Sequence, residues 1–145
     1  MRFEPGAYNI VPSAAEFALE FRAPGKAGLR ELEYVLLRLA EKVAASHGLT
    51  LEREPLGGCV PAAMGARAQV ALAAAADELG LSRIELVSGA GHDGQNLAPL
   101  TETGMVFIPS RAGVSHSPRE FSDWTDCVNG TNVLLNAALR LAGAT

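Results

Sequence analysis

Residues Ala15–Arg22 read AEFALEFR, with Phe17, Leu19 and Phe21 alternating against Glu16, Glu20 and Arg22. That period of two predicts a half-buried strand, with Arg22 on the same side as Glu16 and Glu20. Pro24-Gly25 punctuates the pattern. Leu29, Leu32, Leu36, Leu39 and Val43 then recur three and four apart, which predicts an amphipathic helix of about five turns closed by Gly48. His47 in its last turn reads most simply as a partner of the helix dipole. Leu49–Glu54 (LTLERE) alternates again and predicts a second strand, so the first third reads strand–helix–strand behind a looser segment at Tyr8–Val11.

Pro55–Gly65 (PLGGCVPAAMG) breaks the composition and marks a boundary. The organisation expected is one domain over 1–56, a linker over 57–66 and a second domain over 67–145. Beyond the linker, Arg67–Leu79 predicts an alanine-rich helix closed by Gly80. Ile84–Val87 and Met105–Ile108 predict short buried strands, and Thr125–Ala142 a last helix with Val128, Leu135, Leu139 and Ala142 on its apolar face. Strands alternating with helices indicate the α/β class with a parallel or mixed sheet.

Composition narrows the function classes. With 145 residues, 48% hydrophobic and 19% charged, the chain is long enough to bury a core. A net charge of −4 disfavours a nucleic-acid surface. Cys59 and Cys127 lie too far apart in sequence for a metal-type pair and argue for a reducing, cytoplasmic setting. No apolar run approaches the ~18 residues of a membrane span, and the N-terminus shows no signal core.

The candidate chemistry sits behind the two predicted strands of the second domain. Ser88-Gly89-Ala90-Gly91-His92-Asp93 follows one, and Pro109–Pro118, carrying His116, follows the other. In open α/β sheets ligands bind beyond the carboxyl ends of strands, and glycines allow close backbone approach and positive φ. Plainer readings stand beside this one. Gly89 and Gly91 could simply shape a turn, and His92-Asp93 could be a structural hydrogen-bonded pair. Ser115-His116-Ser117 lacks the strand–Ser–helix elbow of a serine nucleophile. His92, Asp93 and His116 form a conceivable metal set without characteristic spacing. Asp123 and Asp126 fit the start of the last helix.

SGAGHDGQNLA, GMVFIPSRAGVSHSPREF and NGTNVLLNAALRLA, with PGAYNIVPSAAEFALEFRAP earlier in the chain, closely resemble bacterial N-carbamoyl-L-amino-acid hydrolases and allantoate amidohydrolases. These form the amidase, hydantoinase/carbamoylase branch of the aminoacylase-like zinc peptidases. Gly94 and Leu97 depart from the alanine and methionine usual in the family. The resemblance implies a partial lid (dimerisation) domain of strand–helix–strand type, followed by the C-terminal α/β part of a zinc-peptidase-like catalytic domain. It also implies a two-metal site of zinc or another divalent metal, hydrolysing C–N bonds of N-carbamoyl amino acids, allantoate or related carboxylate-bearing amides.

By the same resemblance His116 is a metal ligand, and Asn9 and Arg22 bind the substrate carboxylate. Gly89, Ala90 and Gly91 form a turn beside the substrate, and His92 and Asp93 support the site. Most metal ligands and the general-base glutamate of such enzymes have no counterpart in this sequence. The expectation is therefore a C-terminal fragment or half of such an enzyme, completed by a separate N-terminal catalytic part and assembled as a homodimer. The alternative is a catalytically inactive remnant acting as a dimerisation or small-anion-binding module.

Overall fold

In a computed structural model, which describes residues 1–143, the polypeptide divides into two compact units, Met1–Glu54 and Pro55–Thr145. Both contain helix; the paired strands lie in the first.

In the first unit, β1 (Arg2–Glu4) pairs antiparallel with β2 (Ala14–Glu16), Phe3 standing opposite Ala15. The Arg2 guanidinium reaches the Glu16 carboxylate across the ladder at 3.4 Å. The strand expected over Ala15–Arg22 is thus paired only at its start, and Leu49–Glu54 forms no strand. Alternation of side chains shows which way residues face, but a ladder also needs a neighbouring backbone. Among the described residues the only one offered is β1, too short to show a period of its own.

Helix α1 (Lys26–Ser46) forms where the three-and-four spacing places it. The Gly48 amide donates to Ala45 O and the Leu49 amide to Ala44 O, with Gly48 at φ 65°. This left-handed closure satisfies carbonyls at the helix end, and glycine adopts it without a steric penalty. His47 is the C-cap residue. No α1 residue is fully buried; of the apolar stripe Leu29 and Leu36 are half-buried, while Leu32, Leu39 and Val43 remain exposed.

In the second unit α2 (Ala66–Glu78) packs against α4 (Trp124–Leu141), with the short helix α3 (Gly94–Leu97) between them in sequence. The core is small: Ala71, Ala75 and Ala76 of α2 meet Val133 and Ala137 of α4, with Leu72, Leu81 and Val106 alongside. Arg140 of α4 pairs with Glu78 of α2. At the other end of α2, the Arg67 amide donates to Glu102 Oε1 at 3.3 Å, placing a carboxylate at the positive end of the helix dipole.

Two expectations need correction here. The face of α4 expected to be apolar (Val128, Leu135, Leu139) is exposed, and the buried one is Gly130, Val133 and Ala137. Both stripes have helical spacing. The small residues win because they let α4 approach the alanine face of α2 closely, which the larger side chains would prevent. Gly130 itself lies close to the segment before the second loop rather than to α2: a Cβ there would lie 2.5 Å from Ile108 Cγ2. The strands expected at Ile84–Val87 and Met105–Ile108 have no ladder partners among the described residues.

Candidate functional site

The two loops singled out by sequence are each held by their own hydrogen bonds. In the first, Ser88 Oγ donates to Ala90 O and accepts from the Ala90 amide. The Leu97 amide donates to Asp93 O, forming α3, and the His92 amide donates to Gln95 Oε1 at 3.3 Å. Gln95 Nε2 in turn donates to Val60 O, tying the turn to the segment before α2. Gly89 and Gly91 do not use the positive φ that glycine allows. Gly89 has open space where a Cβ would stand, while at Gly91 a Cβ would meet Gln95 Oε1 at 3.4 Å. Ala90 is half-buried between them.

His92 and Asp93 are exposed, and neither side chain appears in a hydrogen bond or ion pair among the described residues. They do not form the bonded pair considered from sequence. The His92 ring instead stands edge-on to Phe107, centroids 5.9 Å apart at 77°. That contact carries weight for the site, because Phe107 belongs to the segment that feeds the second loop.

The second loop runs from Pro109 to Asp123 and is cross-tied more heavily. The Arg111 amide donates to Phe121 O at 2.8 Å, and Ser122 Oγ donates to Pro109 O at 2.8 Å. The Arg111 guanidinium lies 4.3 Å from the Phe121 ring centre and 3.0 Å from Asp123 Oδ1. Asp123 is the N-cap residue of α4, as its position suggested, but its carboxylate engages Arg111 rather than a helix amide. Ser110 Oγ donates to Val114 O, closing a 3-10 turn at Arg111–Gly113.

Within this frame Ala112 and His116 take left-handed backbone, φ 56° and 54°. A non-glycine residue held there costs about 1–3 kcal/mol and persists only where its surroundings impose it. At His116 the imposing contact is visible: its amide donates to Glu120 Oε2 at 2.8 Å, while the Glu120 amide donates to Ser117 O. Ser117 Oγ accepts from the Arg119 amide, not from an imidazole. Glu120, Phe107 and Arg111 did not stand out in the sequence. Arg111 lies in the proline-bracketed loop of His116, Glu120 just beyond it, and Phe107 in the apolar segment before it.

In the first unit, Asn9 lies in an exposed turn near the Ile10 amide's bond to Ala7 O. Arg22 Nε donates to Glu20 Oε1 at 2.7 Å, a pairing between neighbours two residues apart. His92, Asp93 and His116 are not gathered: among the described residues no three His, Cys, Asp or Glu side chains lie close enough to hold a metal ion. A catalytic zinc takes about three protein ligands, so the donors present do not by themselves fit a metal centre. Among the described residues no helix is long and apolar enough to cross a membrane.

Comparison with known proteins places the chain. Residues 4–140 match the model of peptidase family M20/M25/M40. An N-carbamoyl-L-amino-acid amidohydrolase of Paenarthrobacter aurescens is 36% identical over 131 residues, 90% of this chain and 32% of that protein. An allantoate amidohydrolase of Bacillus subtilis is 30% identical over 139 residues, 96% of this chain and 34% of that protein. Among solved structures, an amidase of the hydantoinase/carbamoylase family from Burkholderia multivorans superposes with a TM-score of 0.77 at 34% identity, over 81% of this chain and 29% of that one. The chain thus spans about a third of the length of the curated relatives it matches.

Proposed function

Because the chain belongs to peptidase family M20/M25/M40 and to its N-carbamoyl-amino-acid and allantoate amidohydrolase branch, we propose that it is the C-terminal part of a metal-dependent amidohydrolase. Its substrates would be N-carbamoyl amino acids, allantoate or related carboxylate-bearing amides. The first unit would be part of a lid that also makes a homodimer, and the second the C-terminal portion of the catalytic domain. His116 would be a metal ligand, and Asn9 and Arg22 the grip on the substrate carboxylate. The Gly89-Ala90-Gly91 turn would lie beside the substrate, supported by His92 and Asp93. When bound, a divalent metal would supply Lewis acidity and lower the pKa of bound water.

The observation that carries this reading is the joining of the two polar loops through one segment. The His92 ring rests on Phe107, and one residue later Ile108 leads into the loop that holds His116 in a strained backbone. Strain that is paid for by cross-ties on this scale is characteristic of functional loops. Arg22 suits a carboxylate because a planar guanidinium offers two parallel donors. Its Nε and one terminal nitrogen both approach Glu20 Oε1 in an exposed pair, a kind of ion pair that contributes little stability.

Among the described residues no three-donor cluster is present, which favours a second reading for the chain in isolation, a non-catalytic module for dimerisation or small-anion binding. One experiment separates them. The chain is combined with the part of the Paenarthrobacter aurescens relative that it does not match, and hydrolysis of N-carbamoyl amino acids is followed with and without zinc. Metal-dependent turnover in the mixture and none in either part alone is expected. A complex that binds zinc tightly and never hydrolyses these substrates would refute the hydrolase reading. The chain alone should retain far less than one zinc per molecule after dialysis.

A further inference from the structure

Gln95 uses both ends of its side-chain amide. Oε1 accepts from the His92 amide and Nε2 donates to Val60 O, each at 3.3 Å. Its own backbone amide donates to His92 O at 2.9 Å, so residues 92 and 95 are bonded in both directions and the turn between them is closed. The far anchor is itself tied down. Val60 lies in the irregular segment that leads into α2, and further along that segment the Gly65 amide donates to Thr103 O at 2.8 Å. Thr103 and Met105 line the other side of the turn, where a Cβ at Gly94 would meet Thr103 Cγ2 at 3.4 Å and Met105 Sδ at 3.6 Å. Phe107 follows them and stands edge-on to the His92 ring. His92 is thereby held at two places, its backbone by Gln95 and its ring by Phe107.

We infer that Gln95 is a positioning residue, which acts through His92 to fix the 89–92 turn against the segments at 60–65 and 103–107. This deepens the proposed function and rests on it for the place of that turn beside the substrate. Gly89, Ala90 and Gly91 carry no polar side chain that could anchor the turn from within. The His92 side chain enters no hydrogen bond or ion pair among the described residues, so its direction rests on its backbone and on Phe107. Glutamine suits the task because one planar amide carries both an acceptor and a donor. Glutamate of the same length keeps the acceptor and loses the donor, and methionine keeps at most a weak acceptor. Gln95 is also half-buried, where an amide left without partners is costly, so both bonds stay made. A turn that offers backbone contacts but no reacting group contributes to binding more than to the chemical step. Loosening it therefore raises KM more than it lowers kcat.

Nuclear magnetic resonance on the whole chain tests the geometry first. Gln95→Met should speed exchange of the His92 amide by about 10-fold and remove the Overhauser contacts between the His92 and Phe107 rings, while amides of α2 and α4 stay protected. Gln95→Glu should keep the His92 amide protected, through the remaining acceptor, and only weaken the ring contacts. It carries the test if Gln95→Met melts the chain. An unchanged His92 amide and unchanged ring contacts in Gln95→Met overturn the inference, as does a Gln95→Glu protein that loses protection as fully as Gln95→Met. In the reconstituted enzyme, with N-carbamoyl amino acids as substrate, Gln95→Met should raise KM by about 10-fold and leave kcat within about threefold. Unchanged kinetics, or a fall in kcat at constant KM, overturn the positioning role even where the turn has loosened. A wild-type mixture that never hydrolyses these substrates refutes the hydrolase reading instead, and the resonance measurements on the chain alone then decide whether Gln95 holds the turn.

Discussion

Replacing Gly130 with alanine sets two effects of known sign against each other. In a solvent-exposed helix interior, glycine to alanine stabilises by about 0.8–1.0 kcal/mol. At Gly130 the new Cβ would lie 2.5 Å from Ile108 Cγ2, where carbon atoms ordinarily rest at about 3.5–4.0 Å. Relief requires α4 or the 105–108 segment to move by about 1 Å, and overpacking of this kind costs about 1–3 kcal/mol. The net expectation is a loss of about 0–2 kcal/mol, a fall in Tm of up to roughly 16 °C for a unit this small. Gly28 in α1 is the control, since a Cβ there meets only Ala23 Cβ at 3.5 Å; Gly28→Ala should stabilise its helix. Thermal melting of Gly130→Ala, Ile108→Ala and the double variant closes a cycle. Removing Ile108 Cγ2 should restore the benefit of alanine, with a coupling of about 0.5–3 kcal/mol. If Gly130→Ala alone raises stability by the full helix-propensity gain, Ile108 does not pack against α4, and the seating of the 105–108 segment is wrong.

In a reconstituted enzyme, Arg22→Lys should lower kcat/KM on carboxylate-bearing substrates by roughly 30- to 1000-fold with Tm unchanged, and less on a substrate lacking the carboxylate; full activity would refute the carboxylate grip. Glu120→Ala removes the acceptor of the His116 amide, so exchange of that amide should accelerate by about 10-fold. Glu120→Gln, which keeps an acceptor oxygen, should largely restore protection; equal exchange in all three proteins would show that Glu120 does not hold the loop. The hydrogen bonds from Arg83 hold the Asp77 carboxyl below its ordinary value of 3.8. Because that pKa is depressed in the folded state, the contribution is present above the unfolded value and is lost as pH falls below about 4 through the folded one. Arg83→Ala should therefore flatten the acid limb of the stability curve below that pH, as read by denaturant titration, and leave the dependence between pH 5 and 7 unaltered.

The three long helices were legible in the sequence to within a residue or two, because helical hydrogen bonds are local and the spacing that predicts them lies within the helix itself. The glycine closures at Gly48 and Gly80 were legible for the same reason. The family was legible too, in motifs such as SGAGHDGQN and GVSHSPRE whose residues stand together in the chain. The short strand β1 was not, since three residues carry no period. Nor was the buried face of α4, where two stripes share one spacing; that choice depended on how closely α2 could approach Val133 and Ala137, and Ile108 could approach Gly130. The strand-like segments at 84–87 and 105–108 show the opposite limit: their apolar pattern is plain, yet a ladder is a property of two backbones, and among the described residues only one is present. The contact of His92 with Phe107 and the left-handed backbone of His116 under Glu120 likewise belonged to tertiary structure. Each depends on groups brought together by folding, and no spacing along the chain encodes where a side chain four or fifteen residues away will come to rest.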